Sequence, residues 1–436
     1  MTGKEKVDLI IEKANELVTL HGGSAKPLKG EKMQRLGIIK DGAIAVKDGK
    51  ITAVGKTSEI REKYTAENVI DAKGKLVAPG LVDPHTHLIF AGSREEEFEM
   101  KLKGASYLEI LRKGGGILRT VAETRKASLE ELVKLGKERL NTMLLHGTTT
   151  VEAKSGYGLS TKEEIKCLEA INRLNNEHPI DVIPTFLGAH AVPTEYSGKT
   201  EEYVKLIVEE MIPAVAERRL AEFCDVFCEK GVFNVEQSKR ILLAGKKYGL
   251  KPKIHADEMS WLGGAELAAE VGAVSAEHLL YASDEGIRML AESEVIAVLL
   301  PAASFSLMLG RYADARKMIN EGVAVALGTD FNPVCWVENM QFVIALACRM
   351  MRLSPAEALA AATINAAHSI ARASLVGSLE VGKKADIVVF NVPNHRFLAY
   401  RFGVNLVDKV VKNGRLVVDS GRIAGAAISI FSSNGI

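Results

Sequence analysis

The stretch Leu76-Val77-Ala78-Pro79-Gly80-Leu81-Val82-Asp83-Pro84-His85-Thr86-His87 decides how the chain is read. The apolar run, broken by Pro79-Gly80, predicts one buried strand with a turn just before its chemical end. Side chains two apart on a strand share a face, so His85 and His87 aim two imidazoles into one space. Neutral imidazole is the commonest protein ligand for a divalent transition metal. A lone His-x-His also arises in ordinary cores and surfaces. This pair is read as a metal site because matching residues recur downstream.

Outward from His87 the texture is an alternation of helices and strands. Helices are expected over 128–145, 162–175, 201–217, 235–248, 263–271, 284–293 and 311–321. Strands are expected over 148–153, 182–187, 222–228, 251–255, 273–278, 295–300 and 323–328. With the strand before His85 this gives eight strands, ending near 85, 151, 187, 228, 255, 278, 300 and 328. Such a run predicts an α/β fold, a (β/α)8 TIM barrel with its helices outside. An open doubly wound sheet is the competitor, but no Gly-x-Gly-x-x-Gly opens a helix. Gly114-Gly115-Gly116 lacks both that spacing and a preceding strand.

Both chain ends have β texture. Asp48-Gly49, flanked by apolar-rich runs within 42–55, marks a tight hairpin, and Asn413-Gly414 marks another within 407–418. A helix over 354–373, capped by Ser354-Pro355, precedes a strand at 387–390. The expected division is a small β-sandwich domain from residues 1–76 and 379–423, a barrel over 77–378, and an unplaced tail at 424–436.

The composition is that of a globular enzyme: 436 residues, 47% apolar, 25% charged and a net charge of +1. With basic and acidic residues interleaved, no field directs the chain to nucleic acid or membrane. No apolar run is long enough to span a bilayer, and the first residues lead into no signal-peptide core. Five cysteines, Cys167, Cys224, Cys228, Cys335 and Cys348, fit no disulfide or zinc-ribbon spacing. Free thiols favour a reducing compartment, so a cytoplasmic enzyme is expected.

In a barrel of this kind the catalytic groups come from the carboxyl ends of different strands. The first end supplies His85 and His87. Others supply His255-Ala256-Asp257-Glu258, Glu277-His278 and Thr329-Asp330. His85, His87, His255 and Asp330 form a candidate ligand set for one divalent ion, leaving Glu258 and His278 for proton transfer. The chemistry implied is metal-assisted hydrolysis. The ion lowers the pKa of a water and polarises a carbonyl or amidine carbon, provided one coordination position stays open. Asp330 or Glu258 takes the proton and delivers it to the leaving nitrogen.

Several stretches extend this pattern: 92–98, 104–107, 114–117, 151–159, 185–193, 223–229 and 329–333. With His85-Thr86-His87 and His255-Ala256-Asp257-Glu258, they resemble the amidohydrolase superfamily and, more narrowly, the imidazolonepropionase family. The resemblance covers roughly residues 5–420. It implies His85, His87, His255 and Asp330 as ligands of one metal ion, zinc or iron. It implies His278 at the attacking water and Glu258 at both ring and water. Arg94 would pair with a propanoate carboxylate, a bidentate role suited to guanidinium. Tyr107, Tyr157 and His190 would line the substrate, and Asn332 would hydrogen-bond the ring. The implied reaction opens 4-imidazolone-5-propanoate to N-formimidoyl-L-glutamate. A deaminase or amidase of the same architecture is the alternative; it would release ammonia or act on an acyclic substrate. The implied partner is a small carboxylate-bearing substrate, with a homodimer as the assembly and neither nucleic acid nor membrane.

The chain departs from that family after Asn332-Pro333. Where the family has glycine and a small hydroxyl residue, this chain has Val334-Cys335-Trp336. Val334 and Cys335 are therefore marked as substrate-facing positions. A required positive φ would disfavour valine, and a thiol donates weakly. Arg94, heading Glu95-Glu96-Glu97, taken alone reads as a solvated helix start. Lys154 is set aside as a bridging ligand of a two-metal site. His146, His178, His368 and His395 are read as structural or solvated.

Overall fold

The computed structural model describes residues 3–105, 109 and 114–424. Tyr107 and the tail beyond Ala424 lie outside the described residues. All eight barrel strands are present, in chain order around one sheet: Leu81–Asp83, Thr148–Lys154, Asp181–Ala189, Phe223–Cys228, Lys251–Ala256, Ser275–His278, Ile296–Leu299 and Val325–Leu327. Every neighbouring pair is parallel. The ring closes between its last and first members through the residues that follow them. His87 N–H donates to Phe331 O at 2.8 Å and Asp330 N–H to His85 O at 3.1 Å. Asp83 adds a side-chain tie, accepting from Thr329 N at 3.1 Å and Thr329 Oγ1 at 2.6 Å. Closure and site assembly are thus performed by the same few residues.

The run from Leu76 to Leu81 is two strands, not the one expected. Leu76–Pro79 pairs antiparallel with Ile387–Phe390 and parallel with Glu16–Val18, in the sheet made by the chain ends. Leu81–Asp83 then opens the barrel. Gly80 makes the passage because a Cβ there would sit 2.2 Å from Thr149 Oγ1. The single helix expected over 354–373 is also divided, into Pro355–Ala361 and Ile364–Ser369. The break releases the Ala362 carbonyl to accept Val82 N–H at 3.0 Å, so the interruption supports the first barrel strand.

The chain ends form a four-stranded sheet and a seven-stranded sheet. Leu9, Ile11, Ile44 and Val46 of the first pack with Leu17, Ile387, Val389 and Val411 of the second, making a sandwich. Val388, Phe390, Val410 and Val418 point the other way, into the barrel's main core. The period-two alternation therefore serves two cores at once. Asp48-Gly49 and Asn413-Gly414 turn with positive φ at both positions, 52° and 74° and then 48° and 76°, as primed hairpin turns require. Among the described residues no helix is long and apolar enough to cross a membrane.

An ion cluster built on the buried Lys412 and Asp386, with half-buried Asp181 and Lys384, joins the sandwich to the barrel. Lys412 Nζ lies 2.8 Å from Asp181 Oδ2, at the start of the third barrel strand, and 2.6 Å from Asp386 Oδ2. Lys384 adds a second cation at 2.8 Å from Asp181. Removing one partner of a buried pair leaves an uncompensated charge. Lys412→Met should lower the unfolding free energy by about 3–5 kcal/mol, read from the midpoint of urea denaturation. An unchanged midpoint would remove this cluster from the account of how the two parts hold together.

Candidate active site

At the carboxyl ends of the barrel strands the expected ligands converge. His85 and His87 follow the first strand, His255 lies on the fifth and Asp330 follows the eighth. His85 Nε2 and His87 Nε2 each lie 3.4 Å from Asp330 Oδ1, and His87 Nε2 lies 3.4 Å from His255 Nε2. Donors about 2.1 Å from a shared ion in a tetrahedral arrangement are separated by about this edge length. His85 Nε2 and Asp330 Oδ1 are buried with no hydrogen-bond partner. Buried polar atoms without partners are rare in native interiors, and a cation between these atoms satisfies them. The residues therefore fit a divalent ion. His278 falls within the same reach, grouping with His85 and Asp330. The cluster thus offers five side chains rather than the four expected.

Beneath the ligands lies a set of charged groups that the sequence reading did not assign. Lys154 and Lys253 stand among Glu152, Asp225 and Glu277, all 0% exposed. Glu277 Oε2 lies 2.7 Å from His85 Nδ1, and Asp225 Oδ2 lies 3.0 Å from His255 Nδ1. A carboxylate this close to Nδ1 favours the proton on that nitrogen by its charge, which leaves Nε2 as the metal-facing atom. Burial alone would raise the Glu277 carboxyl, but Lys154, Lys253 and His85 outweigh it and hold it well below the usual range. Asp225 is likewise held low against burial by His255 and Lys154. At His85, burial and Lys154 oppose a positive charge, yet Glu277 and Asp330 raise the imidazole to about 9. The field that draws a proton to this cluster also draws a divalent cation. A signal was present in the strands: Glu152 with Lys154, and Lys253 with His255, are charged or ionisable pairs two apart within buried strands.

Buried carboxylates also fix the loops around the mouth. Asp257 accepts from the N–H groups of Leu262, Gly263, Gly264 and Ala265 at 2.9 to 3.2 Å, anchoring the turn between His255 and the next helix. Glu164 accepts from Gly156, Gly158 and Leu159, and so sets the loop that carries Tyr157. Asp257, His278 and Asp330 hold positive φ of 51°, 69° and 52°. Such strain costs on the order of 1–3 kcal/mol per residue and persists where surrounding contacts impose it.

The remaining expected residues divide. His190 stacks on His87 with centroids 4.8 Å apart, and its Nδ1 lies 3.0 Å from Gly156 O. Tyr157 is buried beside both rings. Arg94 is tied to Glu97, with Nη2 at 2.6 Å, while Glu97 also accepts Gly116 N–H at 2.9 Å. The acidic run after Arg94 therefore contains the group that orients it. Asn332 spends its Oδ1 on Val334 N–H and Cys335 N–H, and one Nδ2 hydrogen on Asp330 O. Val334 does not take a positive φ. Cys335 is fully buried, its sulfur 3.5 Å from both Ser306 Oγ and Thr329 O. His146, His178, His368 and His395 all have partners away from the site: Thr142 O, Asn141 Oδ1, Gly23 O and Glu16 respectively.

Comparison with known proteins identifies the family. The Amidohydrolase family model matches residues 76–417, and the model described as "Imidazolonepropionase-like composite domain, bacteria" matches residues 42–66. The imidazolonepropionase of Alkaliphilus metalliredigens is 54% identical over 420 residues, 96% of this chain and 99% of that protein. The imidazolonepropionase of Geobacillus kaustophilus is 57% identical over 420 residues, 95% of this chain and 99% of its own length. Among solved structures, an adenosine deaminase from Xanthomonas campestris with bound zinc shares the fold at a TM-score of 0.72 and 19% identity, over 99% of this chain and 98% of its own. The chain belongs to the amidohydrolase family and, within it, to the imidazolonepropionases.

Proposed function

We propose that the chain hydrolyses the ring carbon–nitrogen bond of 4-imidazolone-5-propanoate, giving N-formimidoyl-L-glutamate. In this reading His85, His87, His255 and Asp330 hold one divalent ion, zinc or iron, since imidazole and carboxylate donors suit both. The observation that carries it is the meeting of partnerless donor atoms from the first and last barrel strands, 3.4 Å apart. When bound, the ion supplies Lewis acidity, lowering the pKa of a water and polarising the ring carbonyl.

The proton chemistry falls to two carboxyl groups with opposite environments. Burial would raise Asp330, but contacts from His85 and His87 hold it well below the carboxylate range. It is therefore ionised and accepts the proton of the attacking water. Glu258 is pushed up to about 8 by burial, then by the charges of Asp330 and Glu229. It carries a proton at neutral pH and donates it to the leaving ring nitrogen. Two carboxyls driven apart in pKa divide the acid and base roles between them. His278 is kept neutral by burial, and its Nε2 lies 3.6 Å from Glu258 Oε2, where it orients that acid and the water.

Arg94, oriented by Glu97, receives the propanoate carboxylate. Tyr157 and His190 wall the ring. Asn332 contributes through its remaining Nδ2 hydrogen, because its Oδ1 is engaged in its own turn. Val334 and Cys335 touch the substrate only through the turn they build. Five free cysteines, four of them buried, support a reducing, cytoplasmic setting.

His85→Ala or His255→Ala should lose the bound ion by elemental analysis and abolish loss of imidazolone absorbance. Full ion content with a normal rate would sink the ligand assignment. Wild-type kcat should fall as pH rises through about 8, as Glu258 loses its proton. Glu258→Gln should keep the ion, lower kcat by about 10²–10⁴-fold and lack that limb; an unaltered profile would end its role as the acid. Arg94→Lys should raise KM roughly 10- to 100-fold, the value of a charged hydrogen bond. Equal KM in variant and wild type would take Arg94 out of the pocket.

A further inference from the structure

The ammonium of Lys154 is surrounded in a way the proposed reaction does not use. Its Nζ lies 2.9 Å from Glu152 Oε2, 2.8 Å from Asp225 Oδ2 and 3.1 Å from Glu277 Oε2. The ammonium and all three carboxylates are 0% exposed. Convergent carboxylate oxygens are how proteins build sites for divalent cations. Asp225, His255 and Glu277 in fact place one donor atom each within 4.8 Å of one another, a second grouping of metal-site composition behind the first. Lysine is a compact point charge; here it donates to Glu152 Oε1 at 3.0 Å and Asp225 Oδ2 at 2.8 Å, with Glu277 Oε2 as a third, ion-paired neighbour.

We infer that the Lys154 ammonium occupies a second cation position and so limits the centre to one divalent ion. The inference rests on the reading that His85, His87, His255 and Asp330 hold the first ion. The two positions stand back to back. The same oxygens that face Lys154, Glu277 Oε2 and Asp225 Oδ2, lie 2.7 Å from His85 Nδ1 and 3.0 Å from His255 Nδ1. Lys253 already serves the outer oxygens of two of these carboxylates, Glu152 Oε1 at 3.0 Å and Glu277 Oε1 at 3.1 Å, together with Pro84 O at 3.2 Å, and has no contact with Asp225 among its ion pairs. Without Lys154, three carboxylates would face one ammonium in a dry interior. A buried excess of negative charge is expensive, and a divalent ion balances it.

The test counts zinc per chain after dialysis against excess zinc, and locates each ion by anomalous X-ray scattering. Lys154→Ala opens the position; Lys154→Met fills it without charge. Wild type and Lys154→Met should hold one ion. Lys154→Ala should hold two, the second between Glu152, Asp225 and Glu277, and its melting temperature should rise on zinc addition by more than that of wild type. A folded Lys154→Ala with no more zinc than wild type overturns the inference. So does a second ion in wild type or Lys154→Met, or a Lys154→Ala chain that stays unfolded with zinc present, since the metal then cannot replace the ammonium. Wild type with no zinc strikes at the reading of the first ion, whereas this inference is judged on the difference of one ion between Lys154→Ala and wild type.

Discussion

Two oxygen atoms, Asp225 Oδ2 and Glu277 Oε2, carry the arrangement of this centre. Each is shared between a ligand imidazole on one side and the Lys154 ammonium on the other. Taking an ion out of water costs several kcal/mol even in a relaxed protein, so a buried group of charges survives only if each is well paired. Here the pairing is dense. Thr185 Oγ1 donates to Glu152 at 2.5 Å, Ser275 Oγ to Glu277 at 3.0 Å and Val226 N–H to Asp225 at 2.7 Å. The cost of burial is offset by contacts that also fix which nitrogen of His85 and His255 faces the centre. Electrostatics and ligand geometry are thus one constraint, supplied by five side chains on strands two, four, five and six.

The mouth above it follows a related rule. Asp257, Glu164 and Glu97 are buried acidic side chains whose oxygens accept backbone N–H groups from irregular segments. Each replaces the hydrogen bonds that a strand or helix would have given those amides. Glu258, Tyr157 and Arg94 consequently sit on loops held in one conformation before any substrate arrives. Fixed positioning of this kind removes the ordering cost from the chemical step. Arg139 contributes from below, donating to Leu88 O at 2.6 Å and stacking on Phe90 at 3.6 Å, which holds the segment after His87.

Much of this was legible in the sequence, for identifiable reasons. The barrel follows from regular alternation, and His85, His87, His255 and Asp330 stand out because each ends a strand in a chain with few histidines. Asp48-Gly49 and Asn413-Gly414 announce hairpins because the turn chemistry is local. What was hidden depends on distant partners. The split at Gly80 is invisible until Leu76–Pro79 meets Ile387–Phe390. Lys154 was set aside as a bridging ligand, and its place as a buried counter-charge was hidden because Asp225 and Glu277 arrive from other strands. Asn332 and Cys335 were expected at the substrate from their position after Asp330; that Asn332 Oδ1 and one Nδ2 hydrogen serve their own turn could not be read from position alone. Glu97 was hidden in a run of three glutamates, of which only it is buried.

The strand Leu76–Pro79 has a consequence for how the chain is made. It lies between Glu16–Val18 and Ile387–Phe390 in the same sheet, so one neighbour leaves the ribosome before it and the other long after. At about 5–20 residues per second, roughly 15–60 seconds separate the two. During that interval its open edge offers unpaired amides and an apolar face to any other strand nearby. The barrel has the same delay, since closure joins His85 and His87 to Asp330 and Phe331. Nascent chains of this protein therefore pass through a stage in which the N-terminal sandwich is half-built. A chaperone that shields that edge would serve the chain most between synthesis of residues 80 and 390.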